Sequence, residues 1–202
     1  MSDYVFPRGY SHDTRSDGLT VTKRYVAAPE RRITEREALR SLAGSGLPVP
    51  RVLEEPPGAL VMTLLPGVHG QELIEAGHAA QVLFSCGRAL PSLPFVHGDY
   101  GPNNTLYDPS SFAVTAILDW EFAHEGDPLE DLAWAEWIVR RHHPSSVGDL
   151  DALFDGYGSR PPWELRQTLM LAKCEQMLAL PRLHEGGAAR WRDNIEITRS
   201  WH

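Results

Sequence analysis

The reading of this chain turns on His97-Gly98-Asp99-Tyr100-Gly101-Pro102-Asn103-Asn104, followed by Ile117-Leu118-Asp119-Trp120-Glu121. Residues 104–107 and 113–118 read as two strands. Asp108-Pro109-Ser110-Ser111 between them reads as a turn, because Pro sets φ while Asp and Ser bond to the local backbone. If the strands pair antiparallel, the start of one lies beside the end of the other. Asn104 then neighbours Asp119, and the tight Gly101-Pro102 loop keeps Asp99 close. Three oxygen donors converge at one end of a hairpin. Hard donors of this kind suit Mg²⁺, which keeps some waters and is usually completed by substrate phosphates. A carboxylate outside the ligand set can orient or deprotonate an acceptor hydroxyl.

Working outward, residues 19–26 follow an Asp17-Gly18 turn signal and read as a strand carrying Lys23 and Arg24. Ile33-Thr34-Glu35-Arg36-Glu37 opens a helix with Ala38, Leu39 and Leu42, Thr34 and Glu37 forming a capping box and Ile33 a staple onto Ala38. Pro48, Pro50, Pro56 and Pro57 keep the next segment extended, and residues 59–65 form a buried strand that ends at Pro66-Gly67. Beyond that dipeptide helices dominate: 71–90, 129–141 with Trp134, Trp137 and Ile138 at helical spacing, 163–180 with Met170, Cys174, Met177 and Leu178 on one stripe, and 188–201. The expected organisation is therefore two lobes, 1–65 and 66–202, in an α+β fold.

In sequence, His-Gly-Asp with an Asn five residues after the Asp, then an apolar strand ending in Asp-Trp-Glu, resembles the aminoglycoside phosphotransferase family. That family shares the protein-kinase-like fold with choline kinases. Gly126-Asp127-Pro128 and Asp131-Leu132-Ala133 resemble its continuation. The resemblance implies a two-lobed fold with a reduced N-terminal sheet lobe that binds nucleotide and a mainly helical lobe for catalysis and acceptor. It implies Asp99 as the catalytic Asp, Asn104 and Asp119 as Mg²⁺ ligands, and Lys23 on the α- and β-phosphates with Glu37 as its ion-pair partner. Residues 61–65, with Met62 and Leu64, would be the hinge whose backbone receives the base of ATP or GTP. His97 is expected to brace the loop, and Asp127 and Asp131 to brace helix start and loop.

The implied activity is a small-molecule kinase, moving a γ-phosphoryl group to the hydroxyl of a small acceptor, a reaction that asks for alignment and charge neutralisation. Two other readings stay open. One is a catalytically weak nucleotide-binding module acting as sensor or scaffold, motivated by the short chain before Lys23 and the lack of a GxGxxG; Gly9-Tyr10-Ser11-His12 is the one plausible phosphate-covering turn. The other is a metal-dependent phosphoesterase using His97, Asp99, Asn104 and His124, which offers fewer clustered ligands than two-metal hydrolases need. Little room lies between Pro66-Gly67 and His97, so the acceptor site is either open or completed by a second subunit in a homodimer. Glu125, Asp127, Glu130, Asp149, Asp151 and Asp155 suit a cationic acceptor or a solvated acidic surface.

Composition narrows the classes further. Lys and Arg total 19 against 27 Asp and Glu, a net charge of −8, which argues against a duplex nucleic-acid binder. Cys86 and Cys174 form no CxxC pair, so neither a disulfide framework nor a cysteine zinc site is expected. The start, Met1-Ser2-Asp3-Tyr4, lacks the basic and apolar regions of a signal peptide, and 59–65 is far shorter than the ~20 residues that span a bilayer. A cytoplasmic protein without a membrane partner is expected.

Overall fold

The computed structural model describes residues 4–5, 12–26, 28–180 and 186–202. Strand pairing begins where the sequence forces a turn. Asp17 Oδ1 accepts the N–H groups of Leu19 (2.8 Å) and Thr20 (2.7 Å), and Gly18 takes φ +86°. Three strands, β1 (Tyr4–Val5), β2 (His12–Ser16) and β3 (Thr20–Tyr25), run antiparallel around that turn. Helix α1 (Arg31–Leu42) follows, then β4 (Val52–Glu54) and β5 (Ala59–Thr63), which completes a sheet of order β1-β2-β3-β5-β4. The expected turn at Gly9-Tyr10-Ser11 lies outside the described residues; His12 begins β2.

Helix α1 starts at Arg31, three residues ahead of the expected Thr34 cap, and no side chain caps it. The capping box is thus absent, and Ile33, 44% exposed, is no staple. The buried stripe is Glu35, Ala38, Leu39 and Leu42, the i, i+3, i+4, i+7 pattern of one helix face.

After Pro66-Gly67 the chain forms β6 (Val68–His69), α2 (Gly70–Glu75) and α3 (Ala79–Ala89). The single helix expected over 71–90 is two, because Gly77 adopts φ +92° and ends the first. β7 (Thr105–Tyr107) and β8 (Val114–Ile117) pair as expected, Thr105 opposite Ile117, and β6 joins the other edge of β7. Asp108 Oδ1 makes the turn by accepting the Ser110 hydroxyl (2.6 Å) and the N–H groups of Ser111 (2.8 Å) and Ser110 (3.0 Å), which together hold its carboxyl down at about 2.

Helices α4 (Leu129–His142), α5 (Leu150–Tyr157), α6 (Trp163–Leu178) and α7 (Gly187–Ser200) complete the molecule. One core runs from Leu39, Leu42 and Leu60 through Leu83 and Cys86 to Trp120 and Leu153. A second gathers Trp134, Trp137, Met170, Cys174, Trp191 and Ile195 between α4, α6 and α7. Met170 and Cys174 are core, as their stripe implies. Among the described residues no helix is long and apolar enough to cross a membrane.

Candidate active site

The hairpin delivers what its register implies. Leu118 N–H donates to the Asn104 carbonyl (2.8 Å), so Asn104 and the residues leading into Asp119 are neighbours. Asp119 sits at φ +65°, a region that side-chain-bearing residues other than Asn and Asp rarely occupy. That turn sends its carboxylate to the N-terminal sheet, where Oδ1 lies 2.6 Å from Lys23 Nζ. Alternation along β3 buries Lys23 and leaves Arg24 exposed.

Lys23 is also 2.7 Å from Glu35 and 3.7 Å from Glu121. Burial alone would push its ammonium toward neutrality, but Asp119, Glu35 and Glu121 outweigh that and raise its pKa. Glu37, the expected partner, instead faces Arg36 (3.1 Å) with its side chain 66% exposed. The ion pair is therefore Lys23–Glu35, for the helix-phase reason given above. Glu35 does more than pair. Its Oε1 accepts the Trp120 N–H (3.3 Å) and its Oε2 accepts from Lys23 and from the Tyr25 hydroxyl. One carboxylate thus ties α1, β3 and the loop after Asp119 together; burial pushes its pKa up, against the pull of Lys23.

Asp99 is held at both oxygens. Trp134 Nε1 donates to Oδ1 (2.7 Å) and Asn104 Nδ2 to Oδ2 (2.9 Å), leaving each oxygen a further lone pair. Burial pushes the Asp99 carboxyl up to about 6, against the opposing Trp134 hydrogen bond. Asn104 Nδ2 also donates to the Asp99 carbonyl (2.8 Å), so the amide oxygen is the atom turned elsewhere.

The loop itself is braced from two sides. Asp131 accepts the N–H groups of His97 (2.7 Å) and Gly98 (2.8 Å). The Asp99 N–H donates to His97 Nδ1 (3.2 Å), so the proton is on Nε2, which donates to the Leu118 carbonyl (2.8 Å). Burial pushes His97 down to about 4; the ring is a neutral strut, with Asp131 and His97 in the bracing roles their positions suggested. Asp127 likewise accepts the Leu129 N–H (2.9 Å) at the start of α4.

Of the hinge pair, Met62 is interior to β5, opposite Val21 on one side and Val52 on the other, with its side chain buried. Its backbone is committed to the sheet, so it does not fit the base-receiving role. Leu64 lies past the last strand residue and is 39% exposed. Three residues were not singled out from sequence: Glu35, Trp134 as the donor to Asp99, and Lys173. Each carried a signal. Glu35 and Lys173 are charged residues on otherwise apolar helical stripes, and a buried Trp needs a partner for its N–H.

The carboxylates of Glu35, Asp119 and Glu121 offer oxygens within 4.8 Å of one another. Glu35 is occupied as described, and Glu121 meets Arg31 at 3.1 Å. Asp119, 22% exposed at its side chain, and the Asn104 amide oxygen are the remaining hard donors of the hairpin end, atom types that fit Mg²⁺.

A small antiparallel sheet with its buried Lys–Glu pair, above a helical lobe bearing an Asp–Asn loop and an Asp-ended hairpin, defines a protein-kinase-like fold. Residues 71–169, just under half of the chain, match the family model for the phosphotransferase enzyme family, APH. Solved structures share the fold over nearly the whole chain. Aminoglycoside phosphotransferase APH(4)-Ia is 16% identical, with a TM-score of 0.68 over 98% of this chain and 90% of that one. The GDP and kanamycin complex of APH(2")-IIia is 12% identical, also at 0.68 over 98% and 90%. The streptomycin–ATP–APH(2")-IIa ternary complex is 11% identical, at 0.64 over 88% and 84%. Among curated proteins, acyl-CoA dehydrogenase family member 11 of Gallus gallus is 45% identical over 40 residues, 20% of this chain and 5% of that protein. Member 10 of Mus musculus is 42% identical over 40 residues, 4% of its length. The matched stretch is a small part of these relatives.

Proposed function

We propose that this chain transfers the γ-phosphoryl group of ATP or GTP to a hydroxyl of a small acceptor, with residues 1–65 as nucleotide lobe and 66–202 as catalytic and acceptor lobe. The observation that carries this reading is Asp99, fixed by Trp134 and Asn104 beside a hairpin whose Asp119 meets Lys23. In the proposed step the acceptor oxygen attacks the γ-phosphorus and its proton passes to the Asp99 carboxylate. The bond from phosphorus to the bridging oxygen breaks, and the nucleoside diphosphate leaves with the electron pair. Lys23, kept charged and oriented by Glu35, holds the α- and β-phosphates. Leu64 offers backbone to the base. Asp119 and the Asn104 amide oxygen would hold Mg²⁺, which when bound neutralises phosphate charge.

Similar structures described with ATP and streptomycin, or with GDP and kanamycin, support a nucleotide donor and a hydroxylated acceptor. Two buried free cysteines support a cytoplasmic setting. A homodimer is the assembly to look for by sedimentation.

Thermal melting with Mg²⁺ alone and with Mg·ATP or Mg·GTP tests the site. Ligand at about a hundred times its dissociation constant adds ~2.7 kcal/mol, a rise of roughly 5–10 °C at this size. Asp119→Asn, which keeps the left-handed backbone, should abolish the shift, and Asp99→Asn should keep it while abolishing transfer. A shift in wild type without transfer to any acceptor would favour the sensor or scaffold instead.

A further inference from the structure

A cavity opens beside the loop that carries Asp99, at Gly98. It has a volume of about 200 Å³ and lies between α4 and α6, with Gly98, Trp134, Leu169, Lys173 and Gln176 in its wall. Gly98 adjoins Asp99, and Trp134 donates to its carboxylate, so two residues of the cavity wall also position Asp99. Its size is below the ~300–1,000 Å³ of drug-sized sites, which suits a small acceptor better than an oligosaccharide.

The charges of the wall decide its chemistry. Two carboxylates contribute, and both are engaged: Glu130 with His124 Nε2 (3.0 Å) and the Asp127 N–H (3.1 Å), Asp131 with the His97 and Gly98 amides. Lys173 is different. Among the described residues no carboxylate lies within ion-pair distance of its Nζ, and its hydrogen-bond partner is the neutral amide of Gln176 (3.0 Å). The ammonium stands 4.5 Å over the Phe122 ring, which Arg31 also approaches at 4.2 Å, and 6.0 Å from the Trp134 ring. Burial lowers its pKa, against the attraction of Asp99 and Asp131. A part-buried cation with no carboxylate in direct contact is costly to maintain, and an anion in the cavity would supply that contact.

We infer that this cavity is the acceptor site and that it takes a small hydroxylated carboxylate, whose anionic group pairs with Lys173 while its hydroxyl faces Asp99. The inference rests on the phosphotransferase reading above and names its substrate class. It runs against a polycationic acceptor, for which the wall offers no unengaged carboxylate.

The test uses matched acceptors of three to five carbons: hydroxycarboxylates, diols and amino alcohols, each with saturating Mg·ATP or Mg·GTP. Melting shifts with nucleotide alone, recorded on the same samples, report separately on the nucleotide site. Hydroxycarboxylates should be phosphorylated with kcat/KM at least about tenfold above the diols, the scale of one charge-assisted hydrogen bond. Lys173→Gln should erase that preference through the KM for the carboxylate, and Lys173→Glu should turn it toward the amino alcohols. A preference of the wild type for amino alcohols would overturn the inference. So would a Lys173→Gln effect carried by the KM for nucleotide and equal for all three acceptors, which would make Lys173 a phosphate contact. Neither transfer to nor a melting shift with any hydroxycarboxylate, in samples that do respond to nucleotide, would overturn it while leaving the nucleotide site standing.

Discussion

Glu35 and Glu37 are two residues apart and 200° apart around α1, and that rotation separates a buried ion pair from a solvent contact. Had the stripe Glu35, Ala38, Leu39, Leu42 been given priority over a capping motif, the partner of Lys23 was legible in the sequence. Glu35→Gln should therefore cost about 2 kcal/mol of stability in urea titration, since a buried cation loses part of its compensation. It should also raise the KM for nucleotide severalfold. Glu37→Gln should change stability by less than about 0.5 kcal/mol, as exposed substitutions do, and leave kinetics as they were. Asp131 offers a pH test at the same scale. Burial, opposed by the His97 and Gly98 amides, raises its carboxyl from 3.8 to about 6. The native state then binds this proton more tightly than the unfolded chain. The stability owed to that difference is full below about pH 4 and is lost as pH rises through 6. Asp131→Asn lacks this titration. The stability of wild type minus variant should fall by roughly 2–3 kcal/mol from pH 4 to pH 7, measured by denaturant titration at each pH; a difference that grew with pH would refute the assignment.

At the scale of elements, the hairpin that ends in Asp119 was legible because local chemistry makes it: Asp108 and the two serines close the turn, and alternation sets the register. The break between α2 and α3 was signalled by Gly77 but outweighed by continuous apolar periodicity on both sides. The packing of α3 on α5 had no local signal. A Cβ on Gly87 would lie 2.0 Å from the Leu153 carbonyl oxygen, and one on Gly156 2.0 Å from that of Phe84. Each helix thus presents a glycine to the other's backbone, a reciprocal contact that only the assembled pair reveals. Gly87→Ala must push α5 away and should cost about 2 kcal/mol or more, read as a lower urea midpoint with an unchanged m-value. An unperturbed midpoint would mean that the helices slide without penalty.

At the scale of the whole molecule, the two-lobed plan followed from order along the chain: strands and one helix, then Pro66-Gly67, then helices around a hairpin. Gly67 at φ +140° has a Cβ position 2.3 Å from Thr115 Oγ1, so the strap between the sheets lies directly on β8. What could not be read from order is how distant segments meet at the site. Glu35 reaches Trp120 across 85 positions, and Trp134 reaches Asp99 across 35; neither pairing has a spacing rule behind it. The hinge shows the same limit, since Met62 is taken out of reach by β3 and β4 pairing on both of its sides.

The second core has an optical consequence. Trp134 and Trp137 stack with centroids 4.3 Å apart and planes 5° from parallel, and Trp191 lies 6.3 and 5.9 Å from them. Indoles this close share their excited states, so the protein should show an exciton couplet in its ultraviolet circular dichroism. One ring of that stack, Trp134, is the one whose N–H grips Asp99. Trp134→Phe should remove the grip and weaken the couplet to what the Trp137–Trp191 pair alone gives, and in the wild type a phosphate or acceptor arriving at Asp99 should perturb the couplet. The chromophore that would report events at Asp99 is built into the fold, and arrivals there can be watched without a label.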